Sequence, residues 1–327
     1  MKICIYGAGS VGGYLGGKLA AGGFDVSLVA RGRHLEAIRK DGLTVNQQGE
    51  AITVRPAASD DPASFGPQDV VICTVKAHGL PGIARSMAPL LGPDTAVVFA
   101  MNGVPWWYFH ALPGEHEGRS IDRLDPGGVI RDAIGPERAI GCVVHIGAEV
   151  TSPGTVTVTG RERFEMGEPD GSMSPRLTRL MDAFGTAGIT AVAHENIRDY
   201  VWSKLLGNIT SNPLSALTRA TMGQLYDDDI LRNYMRRMME EAEAVAHALG
   251  ASLPLSIDKR LEIGPRLKDF KTSTLQDLLA GRPLEIEPIV GAVTELGDLT
   301  GVDTPSIDLI YALLKRLAIN ERLYPAA

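Results

Sequence analysis

The apolar positions of the chain change period once. Up to about residue 195 they come in short unbroken runs, such as Ile3-Cys4-Ile5-Tyr6, Val70-Val71-Ile72-Cys73 and Ala96-Val97-Val98-Phe99. Runs of this length, rich in β-branched residues and bounded by Gly, Pro or Asp, read as buried strands. They predict strands at 1–6, 24–30, 69–75 and 95–101, with helices at 14–20, 34–40 and 80–91 between them. Weaker edge-like strands are expected at 43–45 and 52–54, around the polar turn 46–50. Further strands are expected at 139–148, 154–161, 164–167 and 190–194, with a helix at 176–187. From Asn196 the strand signal stops. Apolar residues then recur every three or four positions, predicting helices at 199–211, 228–249, 256–263, 270–280, 285–300 and 305–322. Strands alternating with helices imply a doubly wound α/β domain over 1–195. The helical remainder implies an all-α domain over 196–327.

The junction between the first strand and the first helix carries Gly7-Ala8-Gly9-Ser10-Val11-Gly12-Gly13. This is G-x-G-x-x-G where the pattern has meaning, after a strand and opening a helix, and it marks a Rossmann-like dinucleotide site. Gly7 permits the tight turn, Gly9 lets backbone approach a pyrophosphate, and Gly12 lets the helix pack close to the strand. The backbone around Ala8, Ser10 and Val11 would meet the diphosphate at the helix N-terminus. At the end of the second strand stands Arg31, where an NAD site usually has Asp or Glu for the ribose 2′-hydroxyl. A guanidinium suits a 2′-phosphate instead, with Arg33 and His34 adding potential positive charge, so NADP(H) is the expected cofactor. The alternative is that Arg31 stacks on adenine and tolerates either nucleotide.

Composition narrows the class. The 327 residues carry a formal charge of −7 and no Lys/Arg-rich run, which argues against nucleic acid or anionic membrane as a partner. The three cysteines, Cys4, Cys73 and Cys142, lie in apolar runs and read as reduced core residues. There is no Cys/His cluster of zinc spacing, so no metal is expected. No stretch approaches the roughly 18 apolar residues of a membrane span. The chain enters a strand at once, leaving no room for a signal peptide. A cytoplasmic protein is expected, and apolar residues on helices 228–249 and 305–322 make a homodimer the expected assembly if it is not a monomer.

Candidate chemistry lies in four places. Lys204, Asn208 and Asn212 recur every fourth residue, so one cation and two amides share a helix face over two turns. Val201, Leu205, Leu206 and Ile209 provide the apolar face that docks this helix. A solvated face is the alternative reading of the stripe. Lys76 and Asn102 stand at the carboxyl ends of two strands, where ligands collect in open α/β sheets. Lys204 falls just past the domain junction, where a cleft is expected. Finally, Pro105-Trp106-Trp107-Tyr108-Phe109-His110 places four aromatics directly after Asn102-Gly103, followed by a Gly-, Pro- and charge-rich stretch from 113 to 128. The run reads either as a loop packed by its own aromatics or subunit contact, or as an apolar wall for a ligand.

Together these motifs resemble the ketopantoate reductase (2-dehydropantoate 2-reductase) family over nearly the whole length. The resemblance rests on GAGSVGG at 7–13, TVKA at 74–77, NG at 102–103, SPG at 152–154, WSKLLGNITSNPLSAL at 202–217, STLQD at 273–277 and GRPLEIEPIVGAV at 281–293. It implies an NADPH-dependent reduction of a 2-oxo acid, foremost 2-dehydropantoate to pantoate in pantothenate and coenzyme A biosynthesis. A bulkier 2-oxo acid, or a non-catalytic NADP sensor, are the alternatives. Within the family's pattern Lys204 looks like the lysine that protonates the carbonyl oxygen, and Glu285 like the acidic residue that supports it. Asn102 looks like the strand-end asparagine at nicotinamide and substrate. Asn208, Asn212 and Ser273 look like substrate hydrogen-bond donors, and Lys76 like a lysine beside the cofactor. Read from the residues alone, Ser273 could equally be a helix N-cap and Glu285 an ordinary helix glutamate. The aromatic run 106–109 and the polar insertion behind it depart from a minimal member of the family and put the substrate in doubt more than the reaction.

Overall fold

The structure, a computed structural model, describes residues 1–324. The chain divides into two compact units. One comprises Met1–Met101, Trp107–Ser120 and Gly127–Ile197; the other comprises Asn102–Trp106, Ile121–Pro126 and the chain from Arg198 onward.

The first unit is built on a ten-stranded mixed sheet. Its strands are β1 (Lys2–Tyr6), β2 (Asp25–Val29), β3 (Leu43–Gln47), β4 (Glu50–Val54), β5 (Ala57–Ser59), β6 (Gln68–Cys73), β7 (Leu91–Ala100), β8 (Ala139–Ser152), β9 (Thr155–Gly167) and β10 (Ala191–Ala193). The order is β4-β3-β9-β8-β7-β6-β1-β2-β5, with β10 also on β9. The segment from β5 through β8 is parallel, with Ile5 opposite both Leu28 and Ile72, and Val98 opposite Ile140. The far half contains antiparallel pairs, β8 with β9 and β3 with β4. The central strands are buried on both faces, which is why they read as continuous apolar runs. The helices of this unit are α1 (Ser10–Ala21), α2 (Gly32–Asp41), α3 (Leu80–Ala84), α4 (Val129–Ile134) and α5 (Pro175–Thr186). The helix expected at 80–91 is only one α turn continued as 3-10 helix through Arg85–Leu90, because Pro89 lacks the N–H that an α ladder needs. The strands expected at 154–161 and 164–167 are one strand, β9.

Among the described residues from 198 on, the second unit has helices and no strands: α6 (Ile197–Thr218), α7 (Met222–Asp227), α8 (Asp229–Ala248), α9 (Ile257–Ile263), α10 (Ser273–Leu279), α11 (Ala292–Thr300) and α12 (Pro305–Asn320). The long α8 buries Met235, Met238, Met239, Ala242, Val245 and Ala246, a stripe of helical spacing. Its Glu241 carboxylate accepts the Ser306 and Ile307 N–H groups, tying α8 to the otherwise unpaired first turn of α12.

Helix α6 runs seven residues past the expected end at 211, through Pro213. Proline leaves the Ile209 carbonyl without its usual donor. The following turns persist because Leu214 and Ala216 are buried and Ser215 Oγ donates to the Ala220 carbonyl at 2.7 Å. The helix expected over 285–300 begins later and differently. Residues Glu287–Gly291 form a π turn, and only Ala292–Thr300 is α-helical.

The cysteines are buried and free. Burial, chiefly, pushes the Cys4 and Cys73 thiols up to about 12. No described helix is long and apolar enough to cross a membrane, and among the described residues no acidic, His or Cys cluster could hold a metal ion.

Candidate active site

The glycine loop has the shape its spacing predicts. The chain leaves β1 at Gly7 with φ +102°, and Gly7 and Ala8 both donate to the Val29 carbonyl at the end of β2. A Cβ on Gly12 would collide with the Gly7 carbonyl, Thr74 Oγ1 and Ile5 Cγ2, so α1 can approach β1 this closely only with glycine there. A Cβ on Gly9 would meet nothing within 4 Å, which leaves open the side from which a diphosphate would approach. Helix α1 starts at Ser10, and its first N–H groups, including those of Ser10 and Val11, lack intrahelical carbonyl partners. These features fit a dinucleotide. One contributor carries no signal in the sequence. Thr74 Oγ1 donates to the Gly7 carbonyl at 2.6 Å and clamps the loop from β6, giving a structural reason for the threonine of TVKA. Lys76, two residues on, is half-buried and opens a short 3-10 turn.

Arg31 is exposed at the end of β2, as the N-cap residue of α2. Arg33 is exposed beside it. His34 is not the extra positive charge the sequence suggested. Its Nδ1 accepts the Gly154 N–H at 3.0 Å, which requires the neutral ring. Burial holds its pKa below the ordinary histidine value, with the Ala8 carbonyl pulling the other way. His34 therefore ties α2 to the Ser152-Pro153-Gly154 turn.

In the helical unit, α6 is anchored by Val201, Leu205, Leu206 and Ile209, each at most 7% exposed. Burying a side chain of this size contributes about 1.5–3 kcal/mol. Lys204 and Asn208 are half-buried, whereas Asn212 is 4% exposed. The Asn212 Nδ2 is buried without a hydrogen-bond partner, an arrangement that costs about 1–3 kcal/mol unless a ligand acceptor meets it.

Lys204 Nζ donates to Asn102 Oδ1 at 2.6 Å, a charge-assisted bond between residues 102 positions apart. Asn102 belongs to the same compact unit as α6. What holds it there is the π turn. Gly103, at φ +86°, lies so close to Pro288 that a Cβ would overlap the Pro288 backbone. The Val104 N–H donates to the Pro288 carbonyl at 2.8 Å.

Glu285 is 7% exposed and sits two residues before this turn. Ser273 is exposed at the first position of α10, but it is not the N-cap; Thr272 is, its Oγ1 accepting the Leu275 N–H at 3.2 Å. The structure thus brings Asn102 to Lys204 and leaves Glu285 near the segment that holds Asn102.

The aromatic run is packed core. Trp106, Trp107, Tyr108 and Phe109 are 6%, 2%, 0% and 1% exposed. Tyr108 meets Phe109 edge-on, and the Trp107 ring fills the space above Gly141. Trp107, Tyr108 and Phe109 therefore present almost no surface to a ligand.

Models of the ketopantoate reductase family match both parts of the chain, the PanE/ApbA region at residues 3–112 and the PanE/ApbA C-terminal region at 196–318. A 2-dehydropantoate 2-reductase from Mesorhizobium japonicum is 45% identical, over 99% of this chain and 100% of its own. The chain belongs to the ketopantoate reductase family. Among solved structures, one from Ralstonia solanacearum MolK2 matches with a TM-score of 0.94 at 42% identity, covering 99% of each chain. A PanE/ApbA family ketopantoate reductase from Ralstonia eutropha JMP134 matches with a TM-score of 0.85 at 29% identity, covering 98% of this chain and 100% of its own. As a member of this family the protein is an NAD(P)-dependent oxidoreductase acting on a CH–OH group and its carbonyl counterpart.

Proposed function

We propose that this protein reduces 2-dehydropantoate (ketopantoate) to pantoate with NADPH, the reductive step that supplies pantoate to pantothenate and coenzyme A. The 45% identity to a 2-dehydropantoate 2-reductase over the full chain supports the substrate. The observation that carries the chemistry is the 2.6 Å bond from Lys204 Nζ to Asn102 Oδ1, which sets an ammonium group at a strand-end amide.

Residues 1–195 form the NADP-binding domain in this reading, and 196–327 the substrate-binding and catalytic domain. Gly7, Ala8, Gly9, Ser10, Val11 and Gly12 cradle the diphosphate, Arg31 takes the 2′-phosphate, and Lys76 and Asn102 complete the cofactor's surroundings. Bound NADPH supplies the hydride for the carbonyl carbon. As negative charge grows on the carbonyl oxygen, Lys204 donates a proton to it, and Asn102 fixes where the ammonium points. Asn208, Asn212 and Ser273 donate hydrogen bonds to the substrate, the buried amide of Asn212 gaining the acceptor it lacks. Glu285 supports Lys204 and the substrate.

The choice of NADPH over NADH rests on Arg31, an exposed cation where an acidic residue would favour NADH. A cytoplasmic enzyme fits a biosynthetic role, and exposed Leu309 and Leu313 on α12 and Ile230 on α8 are the residues on which a homodimer would form. The test is nicotinamide oxidation by the purified protein across a panel of 2-oxo acids. Turnover of ketopantoate with NADPH supports the proposal. Turnover only of a bulkier 2-oxo acid overturns the substrate, and inertness toward every carbonyl overturns the reaction.

A further inference from the structure

Arg260, on α9, is a half-buried cation with no counter-anion among the described residues. Its Nη2 donates to Ser203 Oγ at 2.7 Å, and a Cβ built on Gly207 would stand 3.7 Å from Nη1, so the guanidinium lies along α6. Its Nε is buried without a hydrogen-bond partner. Burial pulls its pKa down from the ordinary value, and the one titratable group acting on it is Tyr226, a phenol. No described carboxylate pairs with it. Two other partly shielded guanidinia in this chain meet a carboxylate: Arg176 meets Glu168 at 2.6 Å and Arg123 meets Glu287 at 3.3 Å. A shielded, always-protonated group with an unused donor is costly unless an anion meets it.

The position of Arg260 indicates which anion. Ser203 and Gly207 immediately precede Lys204 and Asn208, and consecutive Cα atoms lie about 3.8 Å apart. Ser203 and Gly207 are half-buried like Lys204 and Asn208, so the guanidinium lies on the neighbouring strip of the same half-buried face of α6, about 100° around the helix from Lys204. A 2-oxo acid carries its carboxylate on the carbon next to the ketone. A planar fork of N–H donors matches a carboxylate in two-point fashion, which a neutral amide cannot do. We propose that Arg260 binds the carboxylate of the 2-oxo acid and so selects acids over neutral ketones, while Lys204 addresses the ketone oxygen. This rests on the reading of the protein as a 2-oxo acid reductase.

The experiment compares a 2-oxo acid with its uncharged primary amide as substrates, at saturating NADPH, for wild type, Arg260→Gln and Gly207→Leu. The second variant keeps the arginine and crowds the space over Nη1. Both variants should raise KM for the acid on the order of 10- to 100-fold, with KM for the amide and affinity for NADPH little changed. A purely structural role would move both substrates together and lower Tm; that result, or an unchanged KM for the acid, overturns the proposal. The unreactive acid analogue oxamate separates this inference from the function it rests on. If wild type reduces no 2-oxo acid, the proposed function fails. In that case oxamate binding lost in Arg260→Gln still supports an anion site, and equal binding overturns it.

Discussion

The bond between Lys204 and Asn102 allows a quantitative test of the proposed chemistry. Removing the ammonium with Lys204→Ala deletes a general acid, an effect typically of about 10²- to 10⁴-fold in rate. Removing its partner with Asn102→Ala leaves the acid in place but unaimed. The 2.6 Å contact is a hydrogen bond to a charged group, and such bonds contribute about 1.5–3 kcal/mol. If that energy is realised in the transition state, kcat falls roughly 10- to 150-fold. The two losses should not multiply. Once the ammonium is gone Asn102 has nothing to orient, so the double variant should be about as slow as Lys204→Ala alone. The cycle then returns a coupling close to the whole Asn102 effect. The assay is steady-state NADPH oxidation with saturating 2-oxo acid, with Tm measured in parallel to show that each variant is folded. Independent, multiplying losses would refute the reasoning, because they would mean that the two side chains act on different steps.

Three further outcomes follow from named contacts. Arg31→Ser should raise KM for NADPH by about 10-fold or more while leaving KM for NADH nearly unchanged, since only the 2′-phosphate loses a charge-assisted partner; equal effects on both nucleotides would count against it. Gly12→Ala puts a methyl group into the Gly7 carbonyl and Thr74 Oγ1, and overpacking of this kind costs about 1–3 kcal/mol. A lower Tm together with weaker NADPH binding is expected, and a variant indistinguishable from wild type would show that α1 yields there. His34 gives a pH dependence whose sign is fixed by its lowered pKa. The unfolded chain binds the proton more readily, so the stabilisation is complete above the unfolded value near 6.5 and is lost as pH falls below it toward the folded value. Tm scans between about pH 5 and 8 should show a steeper acid-side decline in wild type than in His34→Gln, and parallel curves would remove His34 as the titrating group.

The parts of the fold that were legible from sequence are those where one physical rule acts alone. β1, β6 and β7 are buried on both faces and need only apolar residues, so the runs at 1–6, 69–75 and 95–101 announce them. The sequence reads β9 as two strands because Glu162 and Arg163 interrupt its apolar pattern. The strand's charges are accommodated by specific partners: the Glu165 carboxylate, 5% exposed, is met by Arg163 and by His194 at 2.5 Å from the end of β10. Such compensation is a tertiary fact that no window of local sequence contains. Helix α6 outruns its expected end for a similar reason. Proline predicts a stop, and the buried Leu214 and Ala216 outweigh it.

The site divides along the same line. Lys204, Asn208 and Asn212 are visible because helical periodicity alone aligns them. Arg260 is not, since its local sequence, Asp258-Lys259-Arg260-Leu261-Glu262, reads as an ordinary solvated helix face, and only the fold reveals that no described carboxylate pairs with it. Asn102 was recognised as a strand end, but its bond to Lys204 depends on a displaced hydrogen bond. In a regular α-helix the Ala292 N–H would bond to the Pro288 carbonyl, four residues back. The π turn sends it instead to Glu287, and the Gly291 N–H to Ile286, five residues back in each case. The Pro288 carbonyl is thereby released to accept from Val104, which fixes the segment carrying Asn102. A change that restored α geometry at 287–291 would reclaim that carbonyl and release Asn102, although neither the lysine nor the asparagine had been touched. The irregular turn is thus part of the proposed chemistry, and the sequence that encodes it, Glu287-Pro288-Ile289-Val290-Gly291, contains no group that would itself react.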